Sequence, residues 1–327
     1  MKLLVANIRG ICLLFALAFL HAALVPTVFS DEPLKVAVVR SKVIKPYNDA
    51  LLGFMDELWS SGRKIAPGYY DLEEVEGEGK ELADIIKDEN PDLVFALGTQ
   101  AALFARNNLS DFPIIFSMVL NPVESGIAES LQVPGENITG VCLNIPVELQ
   151  FKKIKEIIPD IKRIGYLYDA RKKFDTNKEA RQAANKLGLQ LISRPIYSRK
   201  DVPQELSVLI READCLWSEI DPLVYSPQSA RHIIMETLKA RLPFMAFSFP
   251  YVKAGALLAL ECNYYDIGKQ SAQTAIKILE GRKPGSIPVA LPRETRLAIN
   301  RRTARTIGLT IPEKSLAKAD KIFGGGE

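Results

Sequence analysis

The feature that most constrains this chain is a repeated alternation of short apolar runs with amphipathic stretches, in two consecutive series between Leu34 and Phe247. An apolar run of this length reads as a strand buried on both faces, and the stretch after it as a crossover helix. The first series predicts strands at Leu34–Val39, Tyr69–Val75, Asp92–Leu97 and Pro113–Ser117, with helices at Pro46–Trp59 and Glu78–Glu89. A further strand within Asn137–Pro146 leads to a helix at Val147–Ile158. The second series predicts strands at Arg163–Tyr168, Gln190–Ile196, Cys215–Glu219 and Pro243–Phe247, alternating with helices at Thr176–Leu187, Val202–Glu212 and Ser226–Ala240. Two runs of strand–helix–strand units imply an α/β protein of two parallel-sheet lobes with right-handed crossovers.

The last section is different. A strand at Ala256–Asn263, a helix at Tyr265–Leu279 closed by Gly281, a strand at Arg296–Asn300 and a short helix at Thr303–Thr306 are too few for a third core. They are expected to return to the two lobes, so that the chain crosses three times, near Val141–Pro146, Leu258–Asn263 and Pro288–Pro292. The expected division is residues 31–143 plus 263–287 in the first lobe and 144–262 plus 288–323 in the second. A hinge of several strands permits closure on a ligand.

Met1–Ser30 carries Lys2 and Arg9, no acid, and an apolar run from Ile11 to Leu20 that continues to Val25. Val28 and Ser30 suit a signal-peptidase site before Asp31, which predicts a soluble exported protein; the alternative is an uncleaved anchor. Without that segment the 42 basic residues fall by two against 39 acidic ones. A nearly neutral chain with no basic patch argues against a nucleic-acid partner. Cys142, Cys215 and Cys262 sit in apolar runs, an odd number that argues against a disulfide framework while leaving a single bridge open.

Candidate site residues lie where strands end, since open parallel sheets bind ligands at their carboxyl edge. Thr99 and Gln100 follow Gly98 at a helix start, where they either capture a carboxylate or cap their own helix. Ser117 and Asn121 end the next strand, as ligand contacts or as a self-capping loop. In the second series Tyr168 and Asp169 end one strand and Trp217 to Asp221 another. Trp217 either stacks on a ligand or packs into the core, and Asp221 either binds a cation or makes a turn before Pro222. Phe249 is the expected ligand contact after the last strand, and Tyr47 either closes one side or packs its helix.

Catalysis has little to work with. His232 is the one histidine beyond the leader, and no nucleophile elbow, Walker loop, dinucleotide fingerprint or zinc spacing is present. Neither a metal nor a cofactor is expected, and the chain is read as a binding protein rather than an enzyme.

A set of segments recurs in order along the chain: Gly98-Thr-Gln-Ala-Ala, Pro113-Ile-Ile-Phe-Ser with Asn121-Pro122-Val123, Asn137-Ile-Thr-Gly-Val, and Ile158 to Tyr168. Lys253 to Leu260, Tyr264 to Ala272 with Lys277 to Gly281, and Ile299 to Pro312 complete it. The set resembles the type I periplasmic binding proteins, and more narrowly the ABC transporter substrate-binding family that includes the tryptophan/tyrosine-type proteins. That resemblance implies two Rossmann-like lobes around a small ligand, an amino acid of aromatic or branched type, delivered by a periplasmic monomer to a membrane permease. A ligand-sensing module feeding a membrane receptor is the alternative. The family commonly has Asp-Pro where this chain has Asn121-Pro122, which implies hydrogen bonding at 121 and moves the charge partner to Glu219 or Asp221.

Overall fold

The structure is a computed structural model that describes residues 32–74, 79–135, 137–172 and 176–325. The expected leader Met1–Ser30, and its cleavage before Asp31, lie outside the described residues. Among the described residues no helix is long and apolar enough to cross a membrane.

The first lobe is built on five strands: β1 (Leu34–Arg40), β2 (Ile65–Asp71), β3 (Leu93–Leu97), β4 (Ile114–Val119) and β5 (Ile138–Cys142). They pair in the order β2-β1-β3-β4-β5, all parallel. Helices α1 (Lys45–Ser60), α2 (Lys80–Asp88) and α3 (Thr99–Asn108) connect them. The central strands are apolar on both faces because helices cover both: Val94 and Phe116 face one core, Phe95 and Ile115 the other.

The second lobe follows from α4 (Val147–Ile157), β6 (Arg163–Asp169), α5 (Thr176–Lys186), β7 (Gln190–Ile196) and α6 (Val202–Glu212). After these come β8 (Cys215–Trp217), α7 (Pro227–Lys239), β9 (Phe244–Ala246), α8 (Phe249–Ala254) and β10 (Leu258–Cys262). The chain then returns to the first lobe as α9 (Tyr264–Leu279) and finishes in the second with β11 (Thr295–Asn300), α10 (Arg301–Ile307), α11 (Glu313–Ala317) and β12 (Lys321–Phe323). The second sheet runs β12-β11-β10-β9-β8-β6-β7, with β11 antiparallel to β10 and every other pair parallel.

The alternation of elements thus reads through to two parallel-sheet lobes. The second strand is shifted from Tyr69–Val75 to Ile65–Asp71 and ends in a 3-10 turn at Leu72–Glu74. It is an edge strand with half-exposed residues, so no continuous apolar run marks it. The short helices α8 and α11 and the three-residue edge strand β12 leave no run of their own either.

The chain passes between lobes after β5, after β10 and again before β11. Around the last passage residues 287–290 add to the first sheet beside β5: Ala290 N–H donates to Gly140 O, Cys142 N–H to Ala290 O, and the Thr139 hydroxyl to Ile287 O. Cys142, Cys215 and Cys262 are free and buried.

Returning α9 to the first lobe requires unusually close packing against α1. Gly53 and Gly268 provide it: a Cβ at Gly268 would collide with the Ala50 carbonyl, and one at Gly53 with the Tyr265 carbonyl. Around this approach Phe54 stacks on Phe95 at 3.8 Å, and Ile267, Ala272 and Ala275 complete the core. The Tyr265 hydroxyl donates to Asp56 and the Gln273 amide to Glu57 at the rim. Neither backbone can yield without losing its own helical hydrogen bonds. The Gly268→Ala variant should therefore lose about 1–3 kcal/mol through overpacking, measured as a lowered urea midpoint with unchanged slope; a midpoint equal to the parent's contradicts the contact.

Candidate functional site

Parallel pairing sends the loop after each strand, the reversed β11 and β12 excepted, to one edge of its sheet, and the two edges face each other across a cavity of about 330 Å³. The first lobe supplies Leu120 to Glu124, the loop after β4. The first crossing supplies Leu143 to Pro146, and α4 adds Val147 and Gln150. Opposite them stand Thr176 and Glu179 of α5, Trp217 at the end of β8 with Ser218 to Ile220 after it, and Phe247 after β9. Leu260 and Leu291 close the hinge side. Apolar walls with a few converging polar groups are the usual composition of a small-molecule site.

The polar groups of the first lobe are tied to the hinge. The β4–β5 register shifts at Ser117/Val119, and Met118 and Asn121 take positive φ, which turns the loop into the cleft. There Asn121 N–H donates to Asn144 Oδ1, the Asn144 amide donates to Asn121 Oδ1, and the Asn121 amide donates to Glu124 at 3.1 Å. Gln150 is held likewise, donating to Ile145 O and accepting the Trp217 indole N–H at 2.8 Å.

The second lobe carries a charged cluster at the cavity wall. The Tyr166 hydroxyl donates to Glu219 Oε1 at 2.6 Å, and Lys172 Nζ lies 3.6 Å from the same oxygen. Lys172 also pairs at 2.8 Å with Asp221 Oδ2, while Asp221 Oδ1 accepts the N–H groups of Leu223 and Val224. Burial raises Glu219 above its ordinary value of 4.5, against the opposing pull of Lys172 and the Tyr166 hydrogen bond. Lys172 is itself shifted upward: burial opposes its charge, but Glu219 and Asp221 outweigh it.

Of the residues expected from the sequence, Asn121 and Trp217 line the cavity, as does Glu219, one of the two expected charge partners. Trp217 is fully buried, packed on Tyr166 at 4.6 Å and edge-on to Phe151, so it joins the core to the cleft wall. The others are not among the lining residues. Asp221 is 2% exposed and sits behind the wall with Lys172. Tyr168 stacks on Tyr166, and Asp169 pairs with Arg171. Ser117 is fully buried, with its hydroxyl accepting from Ser271 in α9. At the start of α3, where Thr99 and Gln100 stand, the Ala101 N–H is already taken by the Ser41 hydroxyl at 2.9 Å. Tyr47 is half-buried against the apolar core of α1 and α9. Phe249 is half-buried beneath the Arg296 guanidinium, outside the cavity.

Sequence reasoning missed Asn144, Gln150, Thr176, Glu179 and Phe247. Phe247 follows a buried apolar strand by one residue, a signal that was present. Gln150 and Glu179 face the cleft from helices whose pattern gives no sign of it.

A sequence model of the family described as ABC transporter substrate binding protein matches residues 36–323. A tyrosine-binding protein of Clostridioides difficile is 28% identical over 233 residues, 70% of this chain and 66% of that protein, just under two thirds of its length. Among solved structures, the ligand-free, open form of a substrate binding protein with adhesive properties from Clostridium difficile aligns at a TM-score of 0.75. It is 24% identical, with 89% of this chain and 99% of that one covered. An ABC domain in complex with L-Trp from Streptococcus pneumonia aligns at 0.66 and 23% identity, covering 89% and 100%. At these identities the two structures establish the fold.

The Glu219 shift has a stability consequence. With its proton held more tightly in the folded state, the native protein binds more protons than the unfolded chain just above pH 4.5. The stability contributed by this group therefore falls as pH rises from 4.5 through the folded value. Glu219→Gln removes that fall, so the variant should gain on the parent from pH 4.5 to 7 in urea titrations of the ligand-free protein. A constant difference across that range contradicts the assignment.

Proposed function

Because the chain belongs to the family of ABC transporter substrate-binding proteins, we propose that its cleft captures an amino acid with an aromatic side chain for delivery to an ABC importer. The family is one of solute-binding proteins, not of enzymes. The observation that carries the reading is a cavity walled by both lobes and the crossing strands, with Leu143, Ile145, Trp217 and Phe247 as its apolar surfaces and Glu219 as its half-buried charge. A planar apolar body fits between such walls, and a carboxylate held in a low-dielectric setting binds an ammonium strongly. The tyrosine-binding relative and the L-Trp complex support an aromatic ligand.

In this reading the lobes rotate about the three crossings, enclose the ligand and present the closed form to a membrane permease. Enclosure strengthens the polar contacts by excluding water. The work takes place outside the cytoplasm, by a monomer, after removal of Met1–Ser30. The Asn121–Asn144 clasp joins the first-lobe loop to the first crossing, and so couples the ligand-facing loop to the hinge.

Thermal unfolding of the protein with L-tyrosine, L-tryptophan, leucine, nucleosides and sugars tests the reading. An aromatic amino acid at about a hundred times its dissociation constant should add roughly 2.7 kcal/mol, a shift of several degrees. Phe247→Ala should abolish most of that shift. A response confined to sugars or nucleosides overturns the proposal.

A further inference from the structure

We infer that the second lobe carries a membrane-docking face, formed by α7, α8 and the first turn of α10, which seats on anionic phospholipid headgroups and leaves the ligand cavity clear.

The near-neutral total of the chain conceals an uneven division. Residues 144–262 and 288–323, which bear the second sheet, hold 27 lysines and arginines against 17 acids, whereas residues 31–143 and 263–287 hold 13 against 21. The sequence read in order shows no basic patch, but the fold makes one from three helices well separated in the chain. α7, α8 and α10 carry Arg231, Lys239, Lys253, Arg301, Arg302 and Arg305 against a single acid, Glu236, which Lys239 pairs with at 2.8 Å. The Asn300 amide donates to Val252 O and the Thr303 hydroxyl to Gly255 O, which sets the start of α10 against the end of α8. α10 also packs against α7. Arg231, Lys253 and Arg302 are exposed, and none of them forms an ion pair with a described residue.

Cations alone would suit any polyanion; the groove they surround selects a lipid surface. Between α7 and α8 runs a cavity of about 410 Å³ lined by Ala230, Ile234, Met235, Leu238, Pro250 and Tyr251, with Arg231 among them. Met235 is 47% exposed there. Apolar side chains ringed by cations suit the boundary of a leaflet, where the apolar part enters the acyl region and the cations meet phosphates. A nucleic acid duplex would engage the cations and leave the groove empty. No residue of the groove lines the ligand cavity. Lys253, Arg301 and Arg302 stand where β10 begins and β11 ends, at the edge of the second sheet opposite the cleft. A lobe seated on this face therefore keeps its cavity open to ligand.

Co-sedimentation of the leader-free protein, which retains both lobes entire, tests the inference with vesicles of phosphatidylcholine alone and of phosphatidylcholine with equal phosphatidylglycerol. Each cation at an anionic leaflet is worth about fivefold in partition, so the mixed vesicles should bind about a hundredfold more tightly than the neutral ones. High salt should remove most of that difference. Reversing Arg231, Lys253 and Arg302 together to Glu should cost about a hundredfold. The triple Lys87→Glu, Lys277→Glu, Arg282→Glu on the first lobe makes the same change in net charge and should bind as the parent does. Lys253→Gln alone, about fivefold weaker, repeats the test without charge reversal. Met235→Ser should weaken binding about threefold or more with its salt dependence unchanged. Melting temperatures equal to the parent's separate lost docking from lost folding. Equal binding to both vesicles, no binding to either, or equal losses in the two charge-reversed triples overturns the inference and leaves the proposed function standing. Full affinity in Met235→Ser overturns the part given to the groove.

Discussion

Parallel strand pairing is the constraint on which this molecule depends. A strand paired in parallel with its predecessor must be reached by a crossover, so all loops that follow strands emerge at one edge. With two such sheets set edge to edge, the loops after β4, β5, β8 and β9 meet across a single cavity. The site needs no dedicated element. It is the place where two sheets run out of strand.

What lines that meeting place is arranged in depth. Trp217 belongs to the buried strand β8 and still reaches the cavity, so one indole ring serves the core of the second lobe and the wall of the cleft. Behind the wall Asp221 accepts two backbone N–H groups and the Lys172 ammonium, which fixes the lysine beside Glu219. The buried ion pair thus sets the field at the cleft while, of this cluster, Glu219 meets the ligand space. On the first lobe the loop at Asn121 is bound to Asn144 at the crossing, so ligand contact and lobe angle share one hydrogen-bonded unit.

The architecture was legible because strands covered on both faces admit almost no polar residue, and their runs stand out. Edge elements lack that signature, which is why β2 is displaced by several residues and β12 went unseen. Within the site, legibility turned on where strands stop. β9 ends at Ala246, so the aromatic side chain at the cavity is Phe247, whereas Phe249 is carried round into α8. The two acids of the loop after β8 part company: Asp221, next to Pro222, turns inward to cap the following turn, and Glu219 stays at the cavity wall. The pairing of Lys172 with these acids joins residues almost fifty positions apart, and no periodicity reports such a contact. Gly98-Thr99 had the form of an anion-binding helix start, but the Ser41 hydroxyl that takes its N–H comes from the end of β1.

The threefold passage between lobes also dictates the order in which the molecule can be completed. The first sheet is made early, yet its core stays open until α9 arrives more than a hundred residues after β5. The second sheet in turn waits for β11 and β12 at the far end of the chain. Neither lobe exists as a continuous piece of sequence, so a nascent chain cannot finish one before beginning the other, and contacts of such long separation slow folding. Both halves therefore reach their final form together, in the last stretch of synthesis, and a truncation before Tyr264 leaves two unfinished cores instead of one complete lobe.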